Sequence, residues 1–138
     1  MRNILVNIIL VSSFLLMARC GSKTKPPAPP SEANLAVTLT PPENSTQAPV
    51  PQTDFPLVVT VTSTMPSQGV TISVNAKKDD GSGSAPFFTT SSTTSSATSN
   101  FSIINTPTSV VCLTTVTVTS ISKASNTWTG TYRYSRKP

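Results

Sequence analysis

Hydrophobic and polar residues alternate with a period of two along several stretches of this chain. Between residues 70 and 77, the apolar positions Val70, Ile72, Val74 and Ala76 are separated by polar ones. Such a period places successive side chains on opposite faces of a β-strand, so that one face is buried and the other solvated. The pattern predicts seven short strands, at 34–40, 55–63, 70–77, 85–90, 101–103, 110–121 and 127–134. In the first two strands the residues expected to face inward are Leu35, Val37, Leu39, Leu57, Val59 and Val61.

Two stretches depart from clean alternation. Residues 89–99 are almost entirely Ser and Thr, which offer little to bury, and this predicts a mobile loop or a weak edge strand. In the long strand 110–121 the pattern is interrupted at Thr114 and Thr115. A β-bulge at this point would restore the register.

The last predicted strand carries an aromatic row. Trp128, Tyr132 and Tyr134 share one face of it. Rings in a row on a strand are candidates for stacking on sugars, which makes these residues candidate ligand contacts. Packing in the core is the stronger interpretation, because the inward face of a terminal strand needs bulky side chains.

The N-terminus has the three-part pattern of a secretory signal. Arg2 precedes a mostly apolar run at 4–17, which is shorter than the roughly 20 residues needed to cross a bilayer. Cys20 follows Met17, Ala18 and Arg19. This arrangement resembles the lipobox of bacterial lipoproteins, and the resemblance implies a signal peptide at 1–19 and a lipidated Cys20. An uncleaved N-terminal anchor and cleavage elsewhere by ordinary signal peptidase are the alternatives.

A proline-rich segment follows the cysteine, within the predicted tether at 20–33. Proline fixes φ and removes backbone donors, so the segment should be extended and semi-rigid. We interpret it as a spacer between the membrane and the domain at 34–138, with a proline-motif ligand as the alternative. Positively charged residues, rather than acidic ones, follow Cys20. The sequence leaves both the periplasmic face of the outer membrane and the cell surface open.

Charge argues against nucleic-acid binding. The formal net charge is +5, but Arg2 and Arg19 lie in the signal. The pair Lys77-Lys78 is followed at once by Asp79-Asp80, so no basic patch forms along the chain. Calcium binding at these two carboxylates is also disfavoured, because calcium needs six to eight oxygen ligands. We therefore expect no nucleic-acid partner, no metal site and no cofactor.

Catalysis is not expected either. The chain has no histidine and its five acidic residues are scattered, with the exception of one adjacent pair. If Cys20 carries lipid, Cys112 has no disulfide partner within the chain. Cys112 lies among apolar residues, which predicts a small buried hydrophobe rather than a reactive thiol. We predict a protein without catalytic residues.

The C-terminal segment 116–137 is similar to the closing hairpin of bacterial immunoglobulin-like domains. It has a Val-Thr-Val-Thr strand, a polar turn, and a last strand ending in basic residues. The resemblance implies an all-β, immunoglobulin-like Greek-key β-sandwich of about seven strands, preceded by a signal helix and the tether. This chain differs from antibody-type domains in two respects. Cys112 has no partner cysteine in the second strand, and Val110 stands where those domains carry a tyrosine.

These observations predict a lipid-anchored protein of the bacterial cell envelope, held on the outer membrane by its N-terminal lipid. Two functions remain open. The domain presents a module for an unidentified envelope protein or glycan, or it is a spacer or self-associating, fimbria-like surface subunit that uses an exposed strand edge.

Overall fold

The computed structural model describes residues 31–138, which contain seven β-strands and no helix. The predicted signal peptide at 1–19, Cys20 and nearly all of the tether lie outside the described residues. The strands are β1 (Val37–Thr40), β2 (Phe55–Val61), β3 (Val70–Lys78), β4 (Phe88–Thr94), β5 (Thr98–Ile103), β6 (Val111–Ser120) and β7 (Thr127–Ser135). For residues 31–138, the prediction of an all-β fold is confirmed.

The strands form two antiparallel sheets, an arrangement compatible with a β-sandwich. The smaller sheet has the order β1-β2-β5 and the larger has the order β4-β3-β6-β7. The chain therefore crosses from the first sheet to the second between β2 and β3, returns between β4 and β5, and crosses again before β6. Only the hairpins β3–β4 and β6–β7, and the pair β1–β2, join strands that are consecutive in sequence.

One hydrophobic core contains the inward residues of both sheets. The alternation predicted from sequence is confirmed, since the apolar positions assigned to the inside of β1, β2 and β3 are buried. Each buried Val, Leu or Ile side chain of this kind contributes roughly 1.5–3 kcal/mol relative to its exposed state. The residues concerned are Leu35, Val37, Leu39, Leu57, Val59, Val61, Val70, Ile72, Val74 and Ala76.

The predicted bulge in the sixth strand is wrong. Pairing runs without interruption through Thr114 and Thr115, opposite β3 on one side and β7 on the other. Thr114 occupies an inward position and is fully buried, in line with Cys112 and Val116. A threonine can take a core position because its methyl group packs while its shape matches valine, so no extra residue is needed to keep the register.

The Ser/Thr-rich stretch forms two edge strands rather than a mobile loop. Residues 88–94 form β4 at the edge of the larger sheet, and residues 98–103 form β5 at the edge of the smaller one. The edge-strand alternative is therefore confirmed. Of the two predicted strands in this region, 85–90 was placed too early and 101–103 began three residues too late, because Ser and Thr give no inward-facing apolar signal.

The segment after β1 covers the free edge of β7. Its backbone amides at Asn44, Gln47 and Val50 donate to carbonyls of β7, at 2.7, 2.8 and 3.3 Å. In return the Arg133 amide donates to the carbonyl of Ser45 at 2.8 Å. The bridges formed here are parallel. We call residues 44–50 the covering segment.

Candidate interaction surfaces

Two of the three rings in the predicted aromatic row are core residues. Tyr132 and Tyr134 expose 2% and 1% of their surface. Their ring centroids are 5.9 Å apart, and the Tyr134 ring lies 4.4 Å from that of Phe55 on β2. Tilted aromatic pairs at such distances stabilise a core beyond their buried area. The structure thus places both tyrosines where the packing interpretation requires them.

Trp128 is placed differently. It is half-buried at the margin of the core and lies over Gly130 of its own strand. A Cβ atom at Gly130 would come within 2.3 Å of Trp128 Cη2, so the close approach of the indole requires glycine there. The opposite end of β7 carries the tyrosines. The three aromatic residues therefore do not form one continuous stacking surface.

A small cavity of about 250 Å³ adjoins the tyrosines. Pro41, Val50 and Phe55 line it together with Tyr132 and Tyr134. It lies where the chain passes from β1 into the covering segment. Because both tyrosines are nearly inaccessible, they offer a ligand in this cavity little surface for stacking.

The hydroxyl groups of the two tyrosines differ. Tyr134 Oη and Thr106 Oγ1 are buried 3.0 Å apart and form a hydrogen bond. Tyr132 Oη and Thr114 Oγ1 are buried on directly paired residues, and neither forms a hydrogen bond of ordinary length in the described part of the chain, although the Thr114 hydroxyl lies near enough to lower the pKa of Tyr132 against the effect of burial. Burial raises the pKa of Tyr132 to about 12, and it raises that of Tyr134 as well. Both side chains are therefore neutral at physiological pH.

Cys112 is fully buried, as the sequence predicted. Burial raises the pKa of its thiol to about 11. Since the thiolate is the nucleophilic form, this environment keeps the group unreactive.

The candidate calcium ligands have other partners. Asp79 Oδ2 accepts a hydrogen bond from Arg133 Nε at 2.6 Å, across the β3–β6–β7 end of the larger sheet. Asp80 accepts from the amide and the hydroxyl of Ser82, and these hydrogen bonds lower its pKa. Within residues 31–138, no group of three or more His, Cys, Asp or Glu side chains is arranged to hold a metal ion.

A contact that the sequence did not reveal fixes the point where the tether enters the domain. Asn126, in the β6–β7 turn, accepts from the Leu35 amide at 2.9 Å and donates to Glu32 Oε1 and to the carbonyl of Ala33 at 2.6 and 2.8 Å. Ser122 donates to the other oxygen of Glu32, and this bond is the largest cause of the lowered pKa of that carboxyl. In the sequence, Asn126 looks like any other polar residue of a turn, and nothing there indicates these contacts.

The outer face of the larger sheet is an array of short polar side chains. Every outward position in three successive rows across its four strands is Thr, Ser or Asn. From β4 to β7 the rows read Thr93, Thr71, Thr119, Thr127; then Ser91, Ser73, Thr117, Thr129; then Thr89, Asn75, Thr115, Thr131. We call this surface the hydroxyl face.

The strand edges differ in protection. The covering segment occupies the edge of β7. The edges formed by β4 and β5 contain no charged residue and no proline, the usual devices that prevent a free edge from pairing with another chain.

Comparison with known proteins identifies no relative. No family model matches the chain, and neither the curated proteins nor the solved structures contain a match. Within residues 31–138, no helix is long and apolar enough to span a membrane.

Proposed function

We propose that this chain is a non-catalytic, lipid-anchored protein of the bacterial cell envelope whose domain is an immunoglobulin-like module for binding a protein or a glycan. The observation that carries the proposal is the hydroxyl face. It is a broad, solvent-facing surface on a rigid sheet, and its side chains can all donate and accept hydrogen bonds.

The strand order supports the immunoglobulin-like assignment. With the strands named in chain order, β1-β2-β5 corresponds to A-B-E and β3-β6-β7 to C-F-G of such domains, with β4 added beside β3. The connections between the sheets, from β2 to β3 and from β5 to β6, fit a Greek-key path. The switch of the chain after β1 to parallel pairing with β7 fits the same scheme.

A non-catalytic role is supported by what the candidate reactive groups do. The Cys112 thiol is buried and has a raised pKa. Asp79 is paired with Arg133, and Glu32 is bound to Ser122 and Asn126 at the tether. These groups are engaged in holding the domain together.

Lipid anchoring at Cys20 is supported by the signal pattern and by the way the chain enters the domain. Asn126 holds residues 32–35 at one end of the domain. A tether that joins the domain there would keep this end towards the membrane and hold the rest of the domain away from it. One acyl chain binds membranes only marginally, whereas several together anchor stably.

Metabolic palmitate labelling tests the anchor. We expect label in the wild-type protein and none in Cys20→Ala. Protease accessibility on intact cells then distinguishes the periplasmic face of the outer membrane from the cell surface. An unlabelled wild-type protein would contradict the lipid anchor.

Binding is tested by retention of envelope proteins and by a glycan panel, with the full chain purified in detergent. Specific retention of one protein or one glycan class supports the module. If neither is retained, and the protein forms polymers instead, the binding proposal is wrong.

The open edges of β4 and β5 favour a second candidate function, self-association by strand addition. The mass of the protein in solution, measured over a wide concentration range by light scattering, tests it. Ser92→Lys places a charge on the β4 edge and should prevent assembly. Ser135→Lys makes the same change on the part of β7 that the covering segment occupies, where the Ser135 carbonyl accepts from Val50; it is the matched control and should leave assembly unchanged. A wild-type protein that is monomeric at all concentrations would exclude this candidate.

A further inference from the structure

A polar cleft lies on the hydroxyl face. The β3–β4 loop at residues 83–86 stands beside the outward side chains of β3 and β6 and encloses about 460 Å³ with them. This volume falls within the range of about 300–1,000 Å³ typical of small-molecule sites. Unlike most such sites, its walls are mainly hydroxyl, amide and ammonium groups, with Pro86 and Ala85 on the loop side.

Only side chains can bind a ligand on the floor of this cleft. β3 and β6 are interior strands of the larger sheet, so their backbone groups are used in the ladders on both sides. Ser73 and Thr117, on the floor, face hydroxyls of the neighbouring strands at 3.3 and 3.4 Å. In the next row, the directly paired Asn75 and Thr115 make no side-chain hydrogen bond within the described residues. Their donors and acceptors are available to a ligand.

A positive charge stands in the row beyond, since Lys77 follows Asn75 on the same face of β3. Lys77 lines the cleft and has no ion-pair partner among residues 31–138, where the nearby Asp79 pairs with Arg133. A half-exposed ammonium group beside unpaired amide and hydroxyl groups is complementary to a ligand that carries one acidic group among many hydroxyls.

We propose that this cleft binds an oligosaccharide containing a uronic acid. Sugar hydroxyls both donate and accept, as do the Asn75 amide and the Thr115 hydroxyl, and a uronate carboxylate would accept from Lys77. The C–H face of a pyranose ring packs against the Pro86 ring and the threonine methyl groups. The inference rests on the proposed function as a binding module and assigns it both a site and a ligand class.

Other ligand classes fit the cleft less well. A peptide strand would find no free backbone edge on the floor, and an apolar side chain would cover the unpaired groups of Asn75 and Thr115. A nucleic acid would need several cations along its backbone, whereas among residues 31–138 Lys77 is the one cationic side chain that lines the cleft.

The test measures binding of trigalacturonate to the full chain in detergent by calorimetry, beside its uncharged methyl ester. We expect the acid to bind and the ester to bind at least about 10-fold more weakly, as loss of a charge-assisted hydrogen bond implies. Lys77→Gln should weaken trigalacturonate binding by about 10-fold, and Thr115→Val by about threefold. Mannuronate and glucuronate oligomers are tested in the same way, so that the choice of sugar does not decide the result.

Lys78→Gln and Thr93→Val are the matched controls. The first substitution removes the same charge from the neighbouring residue, and the second removes a hydroxyl from the same face. Neither residue lines the cleft, and the Thr93 hydroxyl faces Thr71, which does not line it either. Both variants should bind like the wild type. Equal losses in the Lys77 and Lys78 variants, or no binding of any of the three uronates, would overturn the inference.

The same variants separate this inference from the proposed function. If a glycan or an envelope protein is retained and the Lys77 and Thr115 variants retain it equally, the cleft is not the site, and the binding module survives. If nothing is retained by any form of the protein, both are wrong.

Discussion

At the scale of single residues, two tyrosines two positions apart on β7 show that the effect of a buried hydroxyl on stability depends on its hydrogen-bond partner. Tyr132 and Tyr134 are equally buried, but among residues 31–138 only Tyr134 forms a hydrogen bond of ordinary length through its hydroxyl, to Thr106. A buried polar group without a partner costs roughly 1–3 kcal/mol, whereas a paired one contributes about 1 kcal/mol. The same chemical change should therefore have opposite effects at the two positions.

Tyr134→Phe should lower the free energy of unfolding by about 1–2 kcal/mol, because it leaves the Thr106 hydroxyl buried and unpaired. Tyr132→Phe removes an unpaired hydroxyl and should leave stability unchanged or raise it by up to about 1 kcal/mol. Urea denaturation of the two variants and the wild type measures the difference. An equal loss in both would show that Tyr132 has a partner in solution.

Stability should also fall at alkaline pH, because of Cys112. Burial raises its pKa to about 11 in the folded state, while the unfolded thiol titrates near its ordinary value of about 8.5. The folded state therefore holds the thiol proton more tightly than the unfolded state does. The resulting contribution to the free energy of unfolding is fully present below the ordinary pKa and is lost as pH rises through about 11.

Urea denaturation from pH 7 to pH 11 should therefore show a decline that begins near pH 8.5, about the ordinary thiol pKa. Cys112→Val, which cannot titrate, should lack the first part of that decline. Tyr132, with its pKa raised to about 12, adds a later loss in both proteins. An identical pH profile for Cys112→Val would assign the whole decline to other groups.

At the scale of elements, the turn between β2 and β3 depends on one glycine. Gly69 has a φ of +82°, and a Cβ atom there would lie 2.4 Å from the carbonyl oxygen of Thr94, at the end of β4. Its own amide donates to Pro66 at 2.8 Å, and its carbonyl accepts from Ile121 at 3.2 Å. Gly69 therefore lies against three parts of the chain at one end of the larger sheet: the turn at Pro66, the end of β4 at Thr94, and Ile121 just after β6.

Gly69→Ala should destabilise the domain by at least about 2 kcal/mol, from the strained φ and the backbone clash together. Gly81→Ala is the matched control, since Gly81 has a φ of +72° but no atom within 4 Å of the added Cβ. It should cost about 1 kcal/mol. The difference between the two melting curves isolates the clash with Thr94, and equal losses would show that the turn moves to relieve it.

At the scale of the whole molecule, the chain closes one sheet edge and leaves others open. The covering segment satisfies carbonyls of β7 at Thr131, Arg133 and Ser135. Within residues 31–138, no segment covers the edges of β4 and β5 in this way. An uncovered row of backbone donors and acceptors is a template for another strand, so the state of each edge influences how the protein associates.

Gln47→Pro should expose the edge of β7, because proline cannot supply the amide that donates to the Arg133 carbonyl. We expect a loss of about 1–2 kcal/mol in stability and increased self-association in light scattering. Ala48→Pro is the control, since the Ala48 amide makes no backbone bond within the described residues. Increased association of the control alone would show that backbone strain, not the exposed edge, is responsible.

The sequence by itself determined the faces of the strands. Alternating Val, Ile and Leu in β1, β2 and β3 predicted which side chains are buried, because a period of two is a local property of extended backbone. The burial of Cys112 was predicted in a similar way, from its apolar neighbours in the sequence. Pattern failed where the residues themselves are ambiguous: Thr114 looked like a break and is a core residue, and the Ser/Thr stretch looked like one segment and forms edges of two sheets.

Only the tertiary structure decided which elements are neighbours. Asn126 holds Glu32 across 94 positions of sequence, Arg133 reaches Asp79 across 54, and the covering segment pairs with the last strand. The cleft above Asn75 and Lys77 exists because β6 lies beside β3 and a loop stands next to both. Alternation reports the face on which a side chain lies, but the strand beside it is chosen by packing between residues far apart in the chain.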